Sequence, residues 1–167
     1  MNKEITLRDA KISDLKLLRY WDKQPHIIAS KGDEDWEWET ELLQAPEWRK
    51  QYIVSVNNHP IGFIQIIDPY KDDTHYWRGV PEGLRAIDIW IGDEQYTGKG
   101  YGTQMMQRAI DLCFAEPDVN TILVDPLSKN IRAHKFYQKL GFKFEEQRFF
   151  GDDDCAIHKL TREDYNY

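Results

Sequence analysis

Cysteine is nearly missing from this 167-residue chain. Cys113 and Cys155 stand far apart and make no Cys-x-x-Cys, so neither a disulfide framework nor a cysteine metal site is indicated. The five His residues form no His-Glu-x-x-His or other metal spacing, and no Gly-x-Ser-x-Gly occurs. No metal is expected. Long apolar runs are also missing: none approaches the roughly 20 residues needed to span a bilayer. Met1 to Leu7 lacks the apolar segment of a signal peptide. A cytoplasmic protein without a membrane partner is expected. Positive charge is in short supply too, with 22 Lys and Arg against 29 Asp and Glu and a formal charge of −7. A phosphate backbone needs a basic face, so nucleic acid is excluded as a partner, while a cationic small molecule or peptide is favoured. Repeats, low-complexity tracts and internal linkers are absent. The length suits one domain over residues 1–167 with a single core, acting as a monomer or homodimer.

What is present alternates between strand and helix signals. Ile5-Thr6-Leu7-Arg8 reads as a first strand, and Ser13-Asp14 as the N-cap of a helix carrying Leu15, Leu18 and Trp21. A second helix is expected at about 34–44, within a charged stretch holding Trp36, Trp38 and Trp48. Strands are expected at 52–56 and 61–67, joined by the turn Asn57-Asn58-His59-Pro60. A polar loop with Tyr76 and Trp77 follows at 68–84; a loop of that length is often functional. Then come a strand at 87–91, a glycine-rich turn and a helix at about 103–114, whose Met106, Ala109, Ile110 and Cys113 recur at helical spacing and belong in the core. The apolar run 121–124 suits an interior strand. A helix at about 129–140 ends at Gly141, and 142–149 with 155–160 suggest a closing hairpin. The order is that of a mixed α/β sheet with a strand–helix–strand crossover in its middle.

The turn Gln95-Tyr96-Thr97-Gly98-Lys99-Gly100-Tyr101-Gly102-Thr103 carries the most information. A strand, a glycine turn and a helix start gather several unpaired N–H groups in one place, where the helix dipole also favours an anion. Spacing narrows the choice. A P-loop would need a Gly one position after Gly92, and a hydroxyl where Gly100 follows Lys99. A dinucleotide fingerprint would need Gly where Thr103 stands.

Gln-x-x-Gly-x-Gly-x-Gly instead resembles the acyl-CoA pyrophosphate loop of the GNAT superfamily of N-acetyltransferases. Downstream, Asn130, Ala133, Tyr137 and Gly141-Phe142 look like the second signature of that superfamily. With Asp125 before Pro126 and the segment Arg85-Ala86-Ile87-Asp88, the chain is similar to aminoglycoside 6'-N-acetyltransferases and their relatives. The resemblance implies an α/β fold with a mixed, mostly antiparallel central sheet flanked by helices, and acyl-CoA held between two splayed parallel strands. It implies acetyl-CoA as co-substrate, a small cationic amine as acceptor and direct attack of that amine on the thioester.

It also implies roles for residues. Asp88 lies between Ile87 and Ile89 in a strand, so it shares a face with Trp90. A charge there is costly to bury without a partner or a cleft, and the resemblance makes it the base. Tyr137, which by itself reads as helix packing beside Phe136, would protonate the leaving thiolate. Ile89, Ile91, Gln95, Gly98, Lys99, Gly100, Tyr101, Gly102, Thr103 and Asn130 would hold the cofactor, though Asn130 alone reads as a helix cap. Arg132 and Lys135 suit a solvated helix face. Tyr76, Trp77, Asp125 and Asp152 would meet the acceptor, while Arg78 departs from the acidic run its relatives carry in that loop. Two alternatives stay open: a GNAT acyltransferase for another amine (a polyamine, a siderophore hydroxylamine or a protein N-terminus), and a non-catalytic acyl-CoA-binding module.

Overall fold

Seven strands form one sheet in the order β1-β2-β3-β4-β5-β7-β6, in a computed structural model that describes residues 3–31 and 35–165. The strands are β1 (Ile5–Asp9), β2 (Arg49–Val56), β3 (His59–Ile67), β4 (Leu84–Ile91), β5 (Thr121–Val124), β6 (Lys143–Phe150) and β7 (Asp153–Thr161). The helices are α1 (Leu15–Asp22), α2 (Pro25–Lys31), α3 (Trp38–Leu43), α4 (Tyr101–Phe114), α5 (Ile131–Lys139) and α6 (Arg162–Tyr165). The sheet is mixed and mostly antiparallel. Its parallel pair is β4 with β5, in the register Leu84↔Thr121 to Ala86↔Leu123. β5–β7 and β6–β7 are antiparallel, the latter with a register shift between Phe144 and Glu146.

Local chemistry explains most boundaries. Asn57 and Asn58 both take positive φ (50° and 65°), which a two-residue hairpin demands and Asn tolerates, so β2 turns directly into β3. Gly141 takes φ 98° past the end of α5, where its N–H reaches the Gln138 carbonyl at 3.0 Å and Phe142 N–H reaches that of Tyr137 at 3.1 Å.

The N-terminal helices depart from expectation. Asp14 precedes α1 but makes no side-chain cap; its carboxylate accepts from the Arg8 guanidinium at 2.7 and 2.9 Å and from Lys11 N–H at 2.8 Å. The helix expected at 34–44 is shorter, α3 starting at Trp38; Glu34 lies outside the described residues, as do Met1 and Asn2 of the N-terminal reading. α2 was not anticipated, although Pro25 at its first position is a recognised start signal. β2 begins three residues early because Arg49 is buried in it, its guanidinium donating to the carbonyls of Glu41 (2.8 Å) and Gln44 (2.9 Å) at the end of α3.

Contacts divide the chain into two compact units, each built from two segments: residues 1–66 with 88–109, and 67–87 with 110–167. The first has a core of Leu18, Trp21, Ile27, Trp38, Ile53, Phe63 and Trp90. Phe63 stacks on Trp90 at 4.5 Å, and Trp36 meets Trp90 edge-on at 5.2 Å. The charged, Trp-rich stretch thus supplies interior aromatics. In the second unit Cys113, Ile122, Val124, Phe142 and Leu160 are buried. Burial pushes the Cys113 thiol up to about 12, as suits an inert core residue.

Candidate functional site

The glycine turn has the expected backbone. After β4, Asp93 accepts from Gln95 N–H and opens a single 3-10 turn over Glu94–Tyr96. Gly98 and Gly100 follow with φ of 70° and 85°, a region that L side chains resist. α4 then starts at Tyr101, and Gln104 N–H bonds back to the Gly100 carbonyl at 3.2 Å. The amides of Tyr101, Gly102 and Thr103 therefore lie ahead of the helical ladder, at the positive end of a 14-residue helix. A Cβ added to Gly98 would meet nothing within 4 Å, so that side of the turn is open. The segment 95–103 contains no carboxylate, and Lys99 extends over the Tyr96 ring, its Nζ 6.0 Å from the centroid. Both features suit an anion.

The flanks of the turn are held in place. Gln95 Nε2 donates to Asp93 Oδ2 at 3.0 Å, and His59 Nε2 lies 3.1 Å from the same oxygen. Burial pushes the Asp93 carboxyl up, but the hydrogen bonds from Gln95 and His59 outweigh it and hold the group below the usual range. On β4, Ile89 and Ile91 are half-buried, and the Ile91 carbonyl accepts from His26 Nε2 at 2.8 Å.

Asp88 is half-buried in β4, two residues from the buried Trp90. Gln65 Nε2, from β3, donates to Asp88 Oδ2 at 3.0 Å. Gln51 Nε2, from β2, donates to Gln65 Oε1 at 2.9 Å and lies 3.4 Å from Glu41 Oε2. Sequence reasoning passed over these partners. One signal was available: Gln65 is the lone polar side chain in Ile61-Gly62-Phe63-Ile64-Gln65-Ile66-Ile67, and a buried amide requires partners.

The second unit holds the remaining candidates. Asp125 follows β5, and Tyr76 Oη donates to its Oδ2 at 2.8 Å. The Tyr76 ring lies parallel to that of Phe150, with centroids 4.4 Å apart. Of the two loop aromatics expected to meet the acceptor, Trp77 is the one that lies inside. It is 2 % exposed, edge-on to Phe150 at 5.2 Å, while Tyr76 is 41 % exposed and forms the accessible face. Asn130 is the N-cap of α5, its Oδ1 accepting from Ala133 N–H at 3.1 Å. Tyr137 is buried, with the Phe136 and Phe142 rings edge-on at 5.2 and 5.5 Å. Arg132 and Lys135 are exposed.

Asp152 is exposed in the β6–β7 turn beside Gly151 (φ 61°). Its neighbour Asp154, missed by sequence reasoning, is the structured one. It accepts from Gln147 Nε2 at 2.6 Å and Ser128 Oγ at 2.7 Å, bonds that hold its carboxyl below the usual range. Ser128 N–H also reaches the Asp154 carbonyl at 2.8 Å, which ties the 125–130 segment to β7. Among the described residues, no group of three His, Cys, Asp or Glu side chains could hold a metal ion, and no helix is long and apolar enough to cross a membrane.

Known proteins share this architecture. The profile of the acetyltransferase (GNAT) domain matches residues 11–150. An aminoglycoside N(6')-acetyltransferase type 1 from Klebsiella pneumoniae is 30 % identical over 151 residues, 85 % of this chain and 75 % of that protein. A lysine N-acyltransferase, MbtK, from Mycobacterium tuberculosis is 27 % identical over 162 residues, 93 % and 74 % of the two chains. Crystal structures of the aminoglycoside acetyltransferase AAC(6')-Ib with coenzyme A, and with coenzyme A and kanamycin, superpose with TM-scores of 0.87 and 0.85 at 28 % identity, covering 98 % of both chains. The chain belongs to the GNAT acetyltransferase family.

Proposed function

We propose that this GNAT acetyltransferase moves the acetyl group of acetyl-CoA to a primary amine of a cationic small molecule, the 6'-amine of an aminoglycoside. One observation carries the reading: the open, carboxylate-free glycine turn at the start of α4 directly follows the strand that bears Asp88. The amides of Tyr101, Gly102 and Thr103, with Lys99, would bind the pyrophosphate. Relatives that act on aminoglycosides, among them one crystallised with coenzyme A and kanamycin, support the acceptor class.

The chemistry required of the chain follows from the acceptor. An amine with a lysine-like pKa is only about 0.04 % neutral at pH 7. Asp88 attracts the ammonium and takes its proton, which frees the lone pair to attack the thioester carbonyl. As the carbon–sulfur bond breaks, Tyr137 gives its proton to the departing thiolate. Asp125, held by Tyr76, and the exposed Asp152 add negative charge for further ammonium groups, and the open face of Tyr76 receives a sugar ring or a cation.

A second reading keeps the chemistry and changes the acceptor. Arg78 puts a positive charge into the loop beside Tyr76 and Trp77, and one relative is a lysine N-acyltransferase, so a lysine-type amine is the competitor. Steady-state assays with acetyl-CoA and kanamycin, spermidine or lysine, with products identified by mass spectrometry, separate the two. Acetyl-kanamycin is the expected product; turnover on lysine or spermidine alone would remove the aminoglycoside assignment. Asp88→Asn should lower kcat by about 10² to 10⁴ without changing CoA affinity.

A further inference from the structure

We infer that Gln65 is a positioning residue for Asp88, and that a polar relay running from Arg49 through Glu41, Gln51 and Gln65 sets which way its amide points. The inference rests on the reading of Asp88 as the base. Every member lies in the first unit: Glu41 in α3, Arg49 and Gln51 in β2, Gln65 in β3 and Asp88 in β4.

The direction of the relay follows from its far end. Arg49, its side chain 6 % exposed, forms an ion pair with Glu41 and donates to the Glu41 and Gln44 carbonyls. Paired in this way, Glu41 is an acceptor only. Gln51 must therefore turn its NH₂ toward Glu41, and the same nitrogen donates to Gln65 Oε1 at 2.9 Å. With its oxygen engaged, Gln65 can present only N–H to Asp88, and it does so at 3.0 Å. The opposite orientation of the Gln65 amide would put two acceptors face to face at Asp88 and two donors face to face at Gln51.

Burial gives the arrangement its force. Gln65 is 8 % exposed, so a flipped amide would find little water to satisfy it. The relay thus ends on an acceptor, the state a base requires, and holds the carboxylate plane through Oδ2. A proton transfer depends on that plane, since the amine must meet the carboxylate within hydrogen-bond reach. Gln65 acts through Asp88, not on the substrate.

The test compares wild type with Gln65→Met, Gln65→Glu, Gln51→Met and the double variant Gln51→Met/Gln65→Met. Each is assayed with acetyl-CoA and whichever of kanamycin, spermidine and lysine turns over fastest. Thermal melts and CoA calorimetry establish that each variant is folded. Loss of a hydrogen bond to a charged group should lower kcat of Gln65→Met by about 10- to 100-fold, with KM for both substrates within about threefold. Gln65→Glu keeps the shape and reverses the polarity, so it should do no better than Gln65→Met. Gln51→Met should lower kcat on its own, yet change it by less than about twofold in the Gln65→Met background, because the relay is already cut.

Independent, multiplicative effects in the double variant would overturn the relay. So would a Gln65→Met kcat near wild type while Asp88→Asn is severely impaired; that result would leave the base assignment standing. An active Asp88→Asn, or no turnover on any of the three amines, would instead remove the reading on which the inference rests.

Discussion

The same Gly→Ala change made at two positions should have unequal costs, because β3 has no room where the cofactor turn has plenty. A Cβ added to Gly62 would stand 2.6 Å from the Trp90 carbonyl oxygen in β4 and 2.8 Å from Met105 Cε in α4. The methionine tip can move; the backbone carbonyl of a paired strand cannot. Overpacking of this kind costs about 1–3 kcal/mol, and the clash with backbone puts Gly62→Ala in the upper part of that range. The alanine recovers about 0.4–1 kcal/mol by restricting the unfolded chain. A net loss of about 2 kcal/mol corresponds to a Tm fall of about 4–8 °C for a domain of this size.

At Gly98 the added Cβ meets nothing within 4 Å, so only the left-handed backbone at φ 70° resists. That costs about 1–2 kcal/mol, less the same unfolded-state gain, and leaves a Tm fall of about 1–4 °C. Urea and thermal melts of the two variants side by side provide the check. CoA calorimetry adds a functional reading: relief of the Gly62 clash displaces Met105, one turn into α4, so CoA binding should weaken in Gly62→Ala. Equal Tm losses, or a Gly62→Ala protein within about 0.5 kcal/mol of wild type, would refute the reasoning.

Three further outcomes are expected. Asp14→Asn removes the buried partner of Arg8 and should cost about 1–2 kcal/mol at pH 7. Burial pushes the Asp14 carboxyl up, but the bonds from Arg8 and Lys11 outweigh it and its pKa is lowered on folding. This stability is therefore present above the unfolded carboxylate pKa and is lost as pH falls through the folded value, so urea melts of the two proteins should converge in acid. His158 is shifted down by burial, against its bond to the Ala156 carbonyl and with help from nearby His134. Stability should fall as pH drops below about 6.5, and His158→Gln should flatten the slope of Tm against pH there, well above the Asp14 window. Tyr76→Phe removes the 2.8 Å bond to Asp125 but keeps the ring on Phe150; it should raise KM for the acceptor more than it lowers kcat, and equal KM values would detach Tyr76 from acceptor binding.

What could be read from the sequence was what the backbone demands. Gly98 and Gly100 signalled a tight turn before a helix, Gly141 a helix end, and Asn57-Asn58 a hairpin; each takes the positive φ that only such residues accept readily. The strand and helix periods around them were legible for the same reason, since alternation and helical spacing are local properties. Side-chain partnership is not local. Asp14 has the residue type and position of a helix cap, yet Arg8 on β1 claims it, and an ion pair with two hydrogen bonds outweighs a single cap bond. The charged stretch 31–51 gave only a helix expectation, and its charge does not show that Trp36 and Trp38 turn inward. They do so because Phe63 and Trp90, far along the chain, supply the apolar faces.

Asp88 shows the limit most clearly. Its position in an apolar strand marks it as a group that needs a reason to be there, and that much can be read from Ile87-Asp88-Ile89. One partner is Gln65, 23 residues earlier and within reach only because β3 and β4 lie side by side. A polar side chain in an apolar strand announces that a partner exists. Which partner it is, and which way its amide points, is decided by the ends of the network, here the acceptor-only Glu41 held by Arg49. A substitution at position 41 or 51 can therefore be expected to matter to the reaction without touching any residue that a motif would single out.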